Sequence, residues 1–328
     1  MVSTPEARLD PAAPVVLVGQ ARSGSSLATL LLNRFAGGFV INDAYAAQTA
    51  EALGLGGPRD PARPGADVAG FAAAMLARIE ARGWTGGEPP IHRSAPLTPA
   101  MRAAARTAGA AAAVPGADWT AVWGPMLRAA AEAGDRAFWG WNTPPDHTRA
   151  DEILAAFPRA RLVFVHRGLW PVLRSYKGLP AHWGRERARY HPLLQARSWD
   201  AARRSEARLA AARPAQVHRL DYDALLARPG PTLAALARFL GAPPFAADPA
   251  LLPGNGSDPR AALSRAEVLA ARLALSREGA AEAGPPPAPA PGGVWALAAR
   301  SWDAGAFYAA EALRSRDMRG RMRRMWRA

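Results

Sequence analysis

The sequence predicts an α/β protein, a three-layer α/β/α fold around a central, mostly parallel sheet of about five strands. Two observations carry that expectation. Short apolar runs, above all Val15 to Val18 and Arg161 to His166, alternate with stretches of helical apolar spacing. The polar segments with chemistry to offer fall where those runs end, and ligands bind at the carboxyl ends of strands in such sheets.

The elements follow in order. Val15 to Val18 is a strand, Gly19 to Ser26 a loop of small residues, and Ser25 to Arg34 a helix closed by Gly37-Gly38. Phe39 to Ile41 is a second strand that ends at Asn42-Asp43. Gly54 to Gly70 reads as a surface loop, Phe71 to Arg82 as a helix, and Gly83 to Pro99 as irregular. Helices follow near Pro99–Ala113 and Asp118–Ala133, then a strand over Phe138–Trp141 and a helix over Asp151–Phe157. Arg161 to His166 is an interior strand, followed by helices near Trp170–Gly178 and Pro192–Arg213. A strand at Val217–Leu220 precedes helices at Asp221–Arg228 and Pro231–Leu240. Past Pro253 the periodicity fades. The organisation expected is a disordered N-terminus over 1–13, one domain over 14–283, a Pro-rich linker over 284–293 and a basic helical tail over 294–328.

Composition bounds the function. At 328 residues the chain can bury a sizeable core, and without cysteine it has neither disulfides nor thiolate metal sites. No apolar h-region opens it and no run approaches a membrane span, which makes a cytoplasmic protein the default. The net charge of +14 suggests nucleic acid, but Lys177 is the only lysine, the arginines are scattered and alanine is abundant. That skew points to codon bias, so no nucleic-acid partner is expected, and anionic substrates fit the excess charge better.

Gly19-Gln20-Ala21-Arg22-Ser23-Gly24-Ser25-Ser26 nearly fits the G-x4-G-K-[ST] phosphate loop, with Ser25 at the lysine position and a cation moved inside, to Arg22. A strand, a Gly/Ser loop and a helix N-terminus form an anion cradle, because unpaired N–H groups converge there. An ordinary strand-to-helix turn is the alternative at this stage.

Ala21 to Leu27 resembles the 5′-phosphosulfate loop of sulfotransferases that use 3′-phosphoadenosine 5′-phosphosulfate (PAPS), which reads P-[RK]-S-G-[TS]-[TS]-x-L. A second motif resembles the family's 3′-phosphate site, a strand ending in Arg with Ser eight residues on: Arg167 and Ser175. Ala156 to Arg161 resembles the F-P-x-A-[RK] lead-in, Leu220 to Leu225 the later Y-E-x-L element, and Phe239-Leu240-Gly241 the F-L-G that follows it. The likeness, to a bacterial, tyrosylprotein-sulfotransferase-like branch, spans about Pro14 to Gly241 and departs at Ala21 and at Gly168-Leu169. It implies a P-loop-like fold and PAPS as co-substrate, with 3′-phosphoadenosine 5′-phosphate as product. It also implies a cofactor site of Arg22, Ser23, Gly24, Ser25, Ser26, Arg167, Ser175 and Tyr222.

Sulfuryl transfer needs an aligned acceptor hydroxyl, a base, and stabilisation of the charge on the leaving phosphate. Arginine and helix N-termini supply the positive charge for this, so no metal is expected. Arg22 suits the last role, since arginine stabilises charge without giving up a proton. There are three candidate bases: the resemblance points to Asp43, at the spacing of the tyrosylprotein enzymes' glutamate, and to His147, near the K-T-x-x-x-H position, and Asp146 is its neighbour. The alternatives are an N-cap for Asp43 and no chemical role for His147. The family's lysine falls on Asn142, which carries no charge. His92, His166, His182, His191 and His218 are expected to be structural or surface residues. Trp84, Trp119, Trp123, Trp139 and Trp141 either line an apolar acceptor pocket or pack the core.

The expected partner is a small-molecule hydroxyl or phenol acceptor, with a homodimer left open. Gly54–Gly70, Gly83–Pro99 and His182–Arg189 are the expected substrate loops. Arg319 to Arg327, with Met322, Met325 and Trp326, reads either as a membrane-surface or partner-binding helix or as a solvated terminus. Two other functions stay open, a kinase with a degenerate phosphate loop and a nucleotide-binding protein impaired in transfer.

Overall fold

Five strands form one parallel sheet in the computed structural model, which describes residues 13–60, 62–179, 190–252, 262–291 and 293–314. They are β1 (Val15–Gly19), β2 (Gly38–Asn42), β5 (Phe138–Asn142), β6 (Arg161–His166) and β7 (Val217–Asp221). Two-residue strands β3 (Gly83–Trp84) and β4 (Ala95–Pro96) pair separately. The sheet order is β2-β5-β1-β6-β7. From β1 the chain moves out to β2, returns through β5, then crosses to β6 and β7. The direction reverses at β1, which opens a crevice beyond its carboxyl end.

Burial on both faces explains the apolar runs. Successive residues of a strand point to opposite faces. Val16 and Val18 join Phe39, Ile41, Trp141 and Phe164 on one side, while Val15 and Leu17 join Val40, Val163 and Val165 on the other. The first side is covered by α2 (Ala46–Ala52), α3 (Val68–Arg82), α4 (Pro99–Ala112), α5 (Trp119–Ala133) and α6 (Ala150–Ala156). The second is covered by α1 (Ser25–Phe35), α9 (Tyr222–Ala227) and α10 (Pro229–Leu240). A third cluster joins α7 (Leu169–Lys177), α8 (Pro192–Ala212) and α11 (Arg265–Leu273). Beyond these lie α12 (Arg277–Ala283) and α13 (Val294–Arg314).

Helix starts follow local chemistry. Asp67 caps α3 through Gly70, Thr98 caps α4 through Met101, and Asp118 caps α5 through Thr120 and Ala121. Asp43 caps nothing of this kind, since Tyr45 holds the N-cap position of α2. Trp119, Trp123, Trp139 and Trp141 are buried, with Trp119 edge-on to Trp141 at 6.1 Å, so these four pack the core.

The chain past 253 holds more structure than its periodicity suggests. Ser264 and Glu267 form a reciprocal capping box that starts α11, a signal present in the sequence. Residues 284–291, expected as linker, run along the body. Ala290 bridges Ser264, and Trp170 Nε1 donates to the Gly284 carbonyl at 3.3 Å. Residues 1–12, the expected substrate loop His182–Arg189 and the stretch Arg319–Arg327 lie outside the described residues.

Gly140 pairs with Val15 in the middle of the sheet, and a Cβ there would overlap the Val15 carbonyl oxygen. Gly140→Ala should lower the unfolding free energy by about 2 kcal/mol or more in urea titration. An unchanged midpoint would contradict this packing.

Candidate functional site

The crevice beyond β1 begins at Gly19, whose φ is 140°. A Cβ there would stand 2.5 Å from the Val165 carbonyl oxygen, so glycine lets the loop leave tight against β6. Arg22 and Gly24 then take left-handed conformations, with φ of 73° and 92°. Gly24 is the N-cap of α1 and supplies no side-chain acceptor, which leaves the first N–H groups of the helix available to an anion.

The loop is held from beneath by α8. Gln20 is buried, its Nε2 donates to Gln195 Oε1 at 3.0 Å, and its Oε1 accepts from Ser198 Oγ at 2.6 Å. Behind the loop lies a cavity of about 10 Å³ between Gly19, Ser23, His166, Trp199 and Glu206. It is about the size of one water molecule. Ser23 Oγ is buried without a hydrogen-bond partner among the described residues.

β6 brings the second motif alongside. Trp199 Nε1 donates to the Arg167 carbonyl at 2.8 Å, which fixes the turn after the strand. The Arg167 guanidinium lies 4.7 Å above the Tyr222 ring and donates to the Arg22 carbonyl at 3.4 Å, with Asp223 3.8 Å from its Nε. Tyr222 in turn covers Gly24, where any Cβ would overlap its ring. Arg22 Nε donates to Ser175 Oγ on α7 at 3.2 Å. Arg22, Gly24, Arg167, Ser175 and Tyr222, distant in sequence, therefore meet in one place.

β5 and β2 supply the third wall. Asn142, fully buried, donates through Nδ2 to Ser25 Oγ at 3.2 Å and to Asn42 Oδ1. Asn42 Nδ2 donates to Ser26 Oγ at 3.2 Å. Both loop hydroxyls are thus anchored by amides at the ends of neighbouring strands. Asn142 Oδ1 is left buried without a hydrogen-bond partner among the described residues.

The three candidate bases have different surroundings. Asp43, in a left-handed conformation, holds Oδ2 3.3 Å from Arg82 Nη2 at the end of α3. His147 is buried on a 3-10 helix, Pro144–Arg149, that packs against β1 and α8, and its carbonyl accepts from Ser205 Oγ at 3.0 Å. Asp146 accepts from Gln48 Nε2 and Trp141 Nε1, both at 3.2 Å, and burial pushes its carboxyl up to about 6. It belongs to the packed interior.

Two residues escape sequence reasoning. Arg82 ends a helix with no motif around it. His92, expected to be structural or surface, shares the electrostatic neighbourhood of Asp43, Arg82 and Arg22, and burial holds its pKa below the usual histidine value. Nearby Ser94 is buried and accepts from Asn33 Nδ2 of α1 at 3.3 Å, which pins that segment to the body. Neither spacing nor composition marks a loop residue brought in this way.

Residues 14–247 match the family model described as the sulfotransferase family. No curated protein matches the chain. Solved structures that resemble it include the following three. A sulfotransferase from Mycobacterium avium is 13% identical with a TM-score of 0.39, the match covering 71% of this chain and 65% of that one. The sulfotransferase domain of the Synechococcus PCC 7002 olefin synthase is 17% identical with a TM-score of 0.45, covering 75% and 78%. The sulfotransferase domain of the curacin biosynthetic pathway is 13% identical with a TM-score of 0.43, also covering 75% and 78%. The chain thus spans just under two thirds of the mycobacterial protein's length.

Glu206 behind the loop gives the site a pH signature. Burial, against the opposing charge of Arg219, pushes its carboxyl from 4.5 up to about 7. The folded chain keeps this proton over a range in which the unfolded chain has lost it, so the contribution of Glu206 to stability falls as pH rises from about 4.5 to about 7. Glu206→Gln should match the wild type near the low end of that window and exceed it above the high end by about 3 kcal/mol. Urea titrations across the window check this, and parallel stability curves would contradict it.

Proposed function

The chain belongs to the sulfotransferase family, and we propose that it moves a sulfuryl group from PAPS to a hydroxyl or phenol of a small-molecule acceptor in one in-line step. The observation that carries this reading is the hydrogen bond from Arg22 Nε to Ser175 Oγ, with Arg167 donating to the Arg22 carbonyl. It joins a phosphate-type loop to a second cationic site, and a donor with phosphates on both its 5′ and 3′ positions needs two such sites. An ATP-using enzyme needs one polyphosphate site with a clamping lysine. Here that position is Ser25, whose hydroxyl accepts from Asn142.

The roles follow from the chemistry each residue offers. The N–H groups at the start of α1, with the hydroxyls of Ser23, Ser25 and Ser26, would hold the 5′-phosphosulfate. Arg22 would neutralise charge on the bridging oxygen as the sulfur–oxygen bond to the 5′-phosphate breaks. Arg167 and Ser175 would bind the 3′-phosphate through charge-assisted contacts. Tyr222, packed between Gly24 and Arg167, would flank the nucleoside. The acceptor oxygen forms the new bond to sulfur and its proton passes to a base, Asp43 first and His147 second. Asn142 in the lysine position favours a second reading, a nucleotide-binding protein impaired in transfer.

Ligand stabilisation separates the donor classes. At about a hundred times its Kd a ligand adds about 2.7 kcal/mol, so 3′-phosphoadenosine 5′-phosphate should raise the Tm by several degrees and ATP much less. Stabilisation by ATP alone would overturn the reading. In sulfuryl transfer from PAPS to a panel of phenols, Asp43→Asn should lower the rate by about a hundredfold or more. If Asp43→Asn and His147→Ala both keep wild-type rates, neither is the base.

A further inference from the structure

α13 presents an apolar face to solvent. Its inner side docks on the body, with Ala304 buried, the Arg300 guanidinium 5.1 Å from the Tyr190 ring centroid and Ser301 Oγ 3.0 Å from His191 Nε2. Its outer side carries Trp295, Ala298, Ala299, Trp302, Ala306 and Ala309, all exposed and spaced at successive turns. Trp295 is 87% exposed and Trp302 80%. Tryptophan gains most from burial of its large ring, so two such rings standing in water on one helix call for a partner.

The exposure is local. Leu269 and Leu273 on the adjoining α11 and Val294 at the start of α13 are exposed too. Among the described residues, only Ile91 and Val114 are large exposed apolar side chains elsewhere. The sequence that follows α13, residues 315–328, holds six arginines against one aspartate, with Met318, Met322, Met325 and Trp326 among them. A partner suited both to this face and to the sequence that follows it must be apolar enough to take tryptophan and anionic enough to take arginine.

An anionic bilayer surface has both properties. Tryptophan settles at the headgroup boundary, and clusters of arginine beside an apolar helix are drawn to acidic lipids. A second copy of this chain brings more arginine rather than the opposite charge, in a molecule whose net charge is already +14. No described helix is long and apolar enough to cross a membrane, so the contact is with the surface. We propose that the Trp295–Trp302 face of α13 lies in the interface of an anionic lipid bilayer. This stands apart from the catalytic reading and survives its failure.

Co-sedimentation of the full chain with vesicles tests it. The protein should pellet with an equal mixture of phosphatidylcholine and phosphatidylserine, far less with phosphatidylcholine alone, and less as salt is added. The Trp295→Ala, Trp302→Ala double variant should keep its Tm, since both rings stand in solvent, and bind the mixed vesicles about tenfold more weakly or worse. Equal binding to the two vesicle types, or wild-type binding by the double variant, would overturn the proposal. So would a dimer in light scattering that the double variant loses, since the face would then belong to a second copy.

Discussion

Arg22 donates to Ser175 across 153 residues of chain, and the whole site depends on the backbone geometry that permits this bond. β1 and β6 must be neighbours, and the loop must leave β1 tight against Val165, which Gly19 allows. Arg22 must also take a left-handed conformation, worth of order 1–3 kcal/mol of strain for a residue other than glycine. Such strain persists only where the surroundings impose it. Here Gln20 is gripped by Gln195 and Ser198 on one side of Arg22, and Gly24 is covered by Tyr222 on the other.

The same geometry gathers cations. Arg22 and Arg167 converge at the carboxyl ends of adjacent strands, where the N-terminus of α1 adds its own positive field. The Tyr222 ring and Asp223 offset part of that charge on one side. On the other side β5 contributes only an amide, since Asn142 is spent on Ser25 and Asn42. Its Oδ1 and Ser23 Oγ, both buried without a hydrogen-bond partner among the described residues, are polar atoms of the kind that cost stability unless something binds them. Arg82 beside Asp43 places a further cation near this wall, at a position that no loop motif announces.

How much of this was legible in the sequence depended on how far each feature's cause lies along the chain. Strands buried on both faces show themselves locally, and so does a loop that breaks between Val18 and Leu27. Arg167 and Ser175 stand out in the sequence only through their likeness to a family motif, and the structure links both to Arg22, whose Nε donates to Ser175 and whose carbonyl accepts from Arg167. The grip of α8 on Gln20 was not legible, because Gln195 lies 175 residues away and an isolated glutamine carries no pattern. His92 and Arg82 reach Asp43 from an irregular loop and a helix end, where periodicity says nothing. The sequence leaves the tryptophans a pocket or a core reading, with core the safer one for at least half of them, and the contacts among Trp119, Trp139 and Trp141 place these three in the core. The start of α11 was legible in its capping box, although the short apolar spacing around it hid the helix.

In the function proposed here, Arg167 serves the donor's 3′-phosphate while the loop holds the 5′ group. Calorimetric binding of 3′-phosphoadenosine 5′-phosphate and adenosine 5′-phosphate to the wild type and to Arg167→Ala tests it most directly. The wild type should prefer the 3′-phosphorylated nucleotide by about tenfold or more, the worth of a charge-assisted contact. Arg167→Ala should erase that preference while leaving the affinity for adenosine 5′-phosphate nearly unchanged. A preference that survives the substitution, or a wild type that never had one, would contradict the account.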